Sequence, residues 1–191
     1  TWGWIGRTLD GYHADQCDPN LTVCEPITVI TRSQSLGDYL SIPLLEDNPA
    51  FMVAGTRPFY LRWFGGDPPY QVEMSQDGQS LASLSVENQW LTTQALPFKE
   101  NTTYQVVIKD KNGLTVTEIF GVVAALDYPN GLQEASLFPK SRQTVKAMWL
   151  ASQRRWALEA YQQASAIADQ HYPARLLRDR LEKGLPVTKK P

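Results

Sequence analysis

The 191-residue chain holds few side chains suited to making or breaking bonds: two histidines and two cysteines. His13 lies in DGYHADQCD with Asp10, Asp15 and Asp18, one imidazole among three carboxylates. Such a set could offer oxygens and a nitrogen to a cation, but its spacing matches neither a zinc motif nor an EF-hand. A polar loop is expected there, with no metal and no cofactor. His171 precedes Tyr172-Pro173 and reads as a cap at a helix end, where a cationic ring suits the dipole. Cys17 and Cys24 close the segment CDPNLTVC, whose Pro19 and Asn20 supply turn chemistry. Either these are two thiols of a reducing compartment, or the turn brings them within disulfide reach. The Cys17–Cys24 disulfide is the preferred reading; a loop that short stabilises by about 2–3 kcal/mol. It implies a periplasmic or extracellular location.

No nucleophile elbow, Walker loop, dinucleotide fingerprint or HExxH is present in the sequence. Asp67, Asp77 and Asp110 fall in predicted turns, where aspartate bonds to local backbone, so they do not imply a catalytic carboxylate pair. No catalytic residue is assigned, and the expectation is a protein that is not an enzyme. The candidate binding residues are cationic: Arg154, Arg155, Arg175 and Arg178, on a basic helical face. Nucleic acid recognition would call for interleaved aromatic residues or a known motif, so the expected partner is a protein.

Charge divides the chain. Residues 1–131 hold 7 Lys/Arg against 15 Asp/Glu, a net of −8, and residues 132–191 hold 11 against 5, a net of +6. A split of this kind marks a domain boundary, and the basic part could dock on the acidic part, on a partner or on an anionic surface. No run of 18 apolar residues occurs, which excludes a membrane-spanning helix within the sequence. The opening TWGWIGR sets Trp2 and Trp4 ahead of Arg7. Those residues either pack on the domain or mark a chain leaving a bilayer, which would tether the protein through a segment upstream of Thr1.

Strand patterns run from Pro26 to about Leu126: Ile27–Ser33, Phe51–Gly55, Phe59–Phe64, Tyr70–Met74, Ser80–Val86, Thr103–Asp110 and Leu114–Val123. In the fifth, the apolar period slips by one residue between Leu81 and Leu84, which predicts a bulge. Asn112-Gly113 predicts a type I′ hairpin turn and Gln76-Asp77-Gly78 a second turn of the same chemistry. The stretch FYLRWFGGDPPYQVEM breaks two strands with Gly65, Gly66, Pro68 and Pro69. These residues, with Leu96 and Tyr104-Gln105-Val106-Val107-Ile108-Lys109-Asp110, resemble the Ig-like repeats of bacterial surface and envelope proteins, of adhesin or polycystic-kidney-disease type. The likeness covers residues 50–126. It implies an Ig-like antiparallel β-sandwich with Trp63, Tyr70, Tyr104, Val106 and Ile108 in its core and Tyr104 as a tyrosine corner.

After Pro129-Asn130-Gly131 the period changes to helical. Val145, Trp149, Ser152, Trp156, Ala160, Gln163 and Ile167 form one stripe of a helix expected to run from about Ser141 to Gln170–Tyr172. A shorter helix follows over Ala174–Lys183. The run WALEAYQQASAIAD resembles one helix of a tetratricopeptide pair, without the roughly 34-residue period of such arrays. The preferred arrangement is a helical hairpin folded back on the sandwich through Trp149 and Trp156. The resulting layout is an N-terminal disulfide-tied segment 1–25, an Ig-like domain 26–127 and a basic helical segment 128–191. Together these readings lead to a non-enzymatic, extracytoplasmic interaction or sensing module of the bacterial envelope. The alternatives are a regulatory scaffold whose helices dock a helical-repeat partner, and an accessory domain of an envelope hydrolase.

Overall fold

The computed structural model of the chain describes residues 39–46, 49–132 and 138–184. His13, Cys17, Cys24, both N-terminal tryptophans and the expected strand at 27–33 lie outside the described residues. Among the described residues eleven strands precede the helices: β1 (Leu40–Ser41), β2 (Ala50–Val53), β3 (Gly55–Arg57), β4 (Tyr60–Arg62), β5 (Phe64–Gly65), β6 (Tyr70–Gln76), β7 (Gln79–Val86), β8 (Trp90–Thr92), β9 (Leu96–Phe98), β10 (Thr102–Lys109) and β11 (Thr115–Val123). Three helices follow, α1 (Pro139–Ala151), α2 (Ala157–Ser165) and α3 (Tyr172–Leu181). The main sheet has the order β2-β11-β10-β6-β7, and the remaining strands pair as β1–β5, β3–β9 and β4–β8. The described strands form several sheets and do not close a barrel.

Alternation decides which face each strand buries. In β6, Tyr70, Val72 and Met74 are buried while Gln71 and Glu73 are exposed; in β10, Tyr104, Val106 and Ile108 are buried in turn. Opposite them, Leu61 of β4 and Leu91 of β8 enter the same apolar cluster. Its centre is aromatic: Phe59 stacks on Phe120 at 5.4 Å and Trp63 meets Tyr70 edge-on at 5.4 Å. Burying each such side chain contributes about 1.5–3 kcal/mol.

The glycine-proline corner is held from within. Tyr70 lies with its hydroxyl 3.1 Å from the Gly65 carbonyl and 2.9 Å from that of Gly66, and the Gln89 amide also donates to the Gly65 oxygen. Gly65 has φ +81°, and a Cβ there would sit 1.9 Å from the Tyr39 carbonyl oxygen, so no other residue fits. Tyr104 forms its corner as expected, with the Lys99 N–H donating to its phenol oxygen at 2.7 Å.

Three expectations need correction. The main sheet is not wholly antiparallel, because β2 runs parallel to β11, with Ala50 beside Phe120. A parallel neighbour requires a long crossover, and the whole chain from β3 to β10 supplies it. The Asn112-Gly113 turn is not type I′: Gly113 alone has positive φ, and the Gly113 N–H donates to the Asp110 carbonyl. The Asp110 carboxylate draws the turn wider by accepting from the N–H groups of Asn112 at 2.9 Å and Leu114 at 2.8 Å. Asp77 and Gly78 do both take positive φ. The long helix is broken at Ser152–Gln153, where Gln153 N–H turns back to the Leu150 carbonyl and the Ser152 hydroxyl to that of Trp149. Those local bonds compete with helix continuation and let α2 fold against α1. His171 does cap helix ends: extended, it closes the 3₁₀ turn Ala168–Gln170 and opens α3, its carbonyl accepting from Ala174 and Arg175. The predicted slip in β7 is present: the register with β6 shifts after Met74, leaving Leu81 unmatched between Ala82 and Ser80.

Candidate binding cleft

The helices are not an appendage. Helix α2 buries Glu159 and Gln162, two polar residues one turn apart, against strand backbone. Glu159 accepts the Val53 N–H at 3.0 Å and the Arg57 guanidinium through both carboxylate oxygens, and Arg57 donates back to the Val53 carbonyl at 3.0 Å. Gln162 accepts the Tyr60 N–H at 2.9 Å and donates to the Tyr60 carbonyl at 2.8 Å. One helix thus satisfies the backbone of both β2 and β4, as a neighbouring strand would. Phe51 packs on Trp156 at 5.7 Å beside this junction, and Trp149, half buried, packs on Tyr128 at 5.5 Å.

Fixing α2 on β4 leaves a cleft of about 370 Å³ where the β4–β8 ribbon meets the C-terminal ends of α2 and α3. Strand alternation turns Leu61 and Leu91 inward and leaves Tyr60, Arg62, Trp90 and Thr92 on the cleft side, with Arg62 directly opposite Trp90 in register. Tyr161 and Ser165 enter from α2, and Asp169, Arg178 and Glu182 complete the lining.

The electrostatics divide the cleft in two. Arg178 is ringed by carboxylates: Asp179 at 2.8 Å, Glu182 at 3.7 Å and Asp169 at 3.9 Å. Burial works against its charge, but the Asp179 hydrogen bond and the charges of Asp179 and Glu182 hold its pKa above the usual value. Tyr161 donates its hydroxyl to Glu182 at 3.1 Å, and burial, reinforced by that carboxylate, pushes the phenol above its ordinary range. Arg62 is different. Among the described residues its side chain has no carboxylate partner and no hydrogen bond; its Nε is buried and its guanidinium lies 5.2 Å from the Phe64 ring centre. Trp90 beside it is 52% exposed, which is uncommon for so large an apolar ring.

Arg155, Arg175 and Arg178, three of the predicted cationic residues, do not gather on one face. Arg155 lies over the Phe51 and Trp156 rings, Arg175 over Tyr172, and Arg178 in the cleft, while Arg154 lies in a single 3₁₀ turn before α2. The junction also reverses the expected polarity, with the arginine on the strand and the acid on the basic helical segment. Sequence reasoning missed Arg57, Arg62, Trp90, Glu159 and Gln162. One signal was available, the unbroken apolar and small surroundings of Glu159 in WALEAY, which place a charge on a face that must be buried.

Among the described residues no three His, Cys, Asp or Glu side chains converge to hold a metal ion, and no helix is long and apolar enough to cross a membrane. Comparison with protein-family models, curated proteins and solved structures finds no match.

Proposed function

We propose that this chain is a non-enzymatic interaction module of the bacterial envelope, an Ig-like sandwich with a helical buttress, which binds an acidic segment of a partner protein in the cleft. The observation that carries the reading is Arg62, a cation without a counter-charge among the described residues, beside the half-exposed Trp90. A guanidinium left unpaired in a partly desolvated cleft gains most from a carboxylate, which it can bind through two parallel hydrogen bonds. Trp90 offers the flat apolar contact that commonly anchors a recognised peptide. The sandwich reading is supported by the apolar cluster that the five-stranded sheet shares with the β4–β8 ribbon. The extracytoplasmic reading rests on CDPNLTVC and is checked by thiol alkylation of native protein followed by intact mass; two alkylated cysteines would remove it.

Selection of a random peptide library on the immobilised protein tests the cleft. The expected peptides carry Asp or Glu next to an aromatic or aliphatic residue, and they are lost on Arg62→Ala and on Trp90→Ala. Undiminished recovery on both variants would overturn the assignment.

A further inference from the structure

The five-stranded sheet ends in β7, which among the described residues has a neighbour on one side only, β6. Alternate residues of such a strand direct N–H and C=O groups away from the sheet, and they form a template for another strand. Proteins commonly blunt such edges with lysine, proline or an inward charge. The sequence of β7, QSLASLSV, contains neither a charge nor a proline. One device is present, the bulge at Leu81, and it ends the regular ladder on that side. The regular edge is therefore the five residues Ala82 to Val86.

We propose that this edge pairs antiparallel with the same edge of a second copy of the chain, with the two-fold axis through Leu84. Antiparallel pairing about an axis normal to the sheet keeps every residue on its own face, so the two numbers of each pair must have an even sum. Centring on Leu84 uses the whole regular segment: Leu84 opposes Leu84, Ser83 opposes Ser85 and Ala82 opposes Val86. The register with β6 puts Ala82, Leu84 and Val86 on the face of Met74, Val72 and Tyr70, so the new pairs are apolar on the core side and hydroxylic on the other. Leu84, 37% exposed in the single chain, is covered by its twin. Self-pairing opposes any charge near the axis to a like charge, and this segment has none to oppose. A five-residue ladder is small beside the roughly 1,200–2,000 Å² of a stable interface, so the association is weak and depends on concentration.

Sedimentation velocity over a concentration series of the whole chain tests this. The mass should rise from 21.5 kDa toward twice that value. Leu84→Lys should hold it at the single mass with far-UV circular dichroism unchanged. Register is read by cysteine cross-linking against the parent chain, which carries Cys17 and Cys24 in every lane. A mixture of Ser83→Cys and Ser85→Cys chains should cross-link, and neither alone should do so. A chain that stays single at every concentration overturns the proposal, whether another part of the molecule or an extended segment of a different protein takes the edge. So does a dimer that survives Leu84→Lys, or one in which Ser83→Cys cross-links by itself.

Discussion

At the β2 edge of the main sheet, the N–H and C=O of Val53 are taken up by the side chains of Glu159 and Arg57. At the β7 edge, alternate backbone groups meet no partner among the described residues. Both are outer strands of one sheet, and the physical demand on them is the same, since an unmet backbone group removed from water costs about as much as a lost hydrogen bond. What differs is burial. The helices cover β2, so its edge has to be satisfied within the chain, and a charge-assisted fork is strong enough to do it. The β7 edge lies at the surface, where water serves the same groups and leaves them free for exchange with another strand. An edge can thus be closed by side chains from a helix, and the one left open is the place to look for a partner.

Breaking the closed edge should have the largest effect. Glu159→Ala leaves the Arg57 guanidinium and the Val53 N–H without their acceptor, and the expected loss is about 3–5 kcal/mol in a denaturant titration. Replacing Arg57 and Glu159 together by apolar residues of similar size should cost less than Glu159→Ala alone, because no charge is then stranded. A double variant as unstable as the single would mean that the pair acts through shape and not through charge. Gln162→Ala strands the N–H and C=O of Tyr60 and should cost about 1–3 kcal/mol per unsatisfied group. It should also widen the cleft, which hydrogen exchange at Tyr60–Arg62 would report as faster exchange. At the open edge Leu84→Lys should change stability by less than about 0.5 kcal/mol, as surface substitutions do, while removing self-association. A loss of several kcal/mol there would mean that β7 is covered and that the two edges are alike. Smallest of all, raising salt should barely move the melting temperature, because Glu159 is buried and shielded from ions while exposed ion pairs such as Lys111–Asp67 contribute little.

How much was legible depended on range. The alternation of Tyr70, Val72 and Met74, and of Tyr104, Val106 and Ile108, is a local pattern that needs one apolar layer to face, and strands formed wherever it was strong. Strands β3, β8 and β9 have only three residues each, too short to display a period, and their pairing comes from residues 28 or more positions away. Positive φ at Gly65, Gly66, Asp77 and Gly78 is also a local requirement, and the residue types announced it. The Asn112-Gly113 turn took another form because Asp110, two residues earlier, offered its carboxylate to the same backbone.

By itself the sequence determined the longer strands and the change from strand to helix after Pro129, the glycine-proline corner, the slip in β7 and the uneven division of charge. Each follows from backbone sterics or side-chain period within a few residues. Only the tertiary structure decided that Glu159 and Gln162 would serve as surrogate backbone for Val53 and Tyr60, over separations of 106 and 102 residues. It also decided that Arg178 would be surrounded by acids while Arg62 has none beside it among the described residues. A buried polar side chain takes its meaning from the groups that long-range folding brings within about 3 Å of it. That distance is set by how the helices dock on the strands.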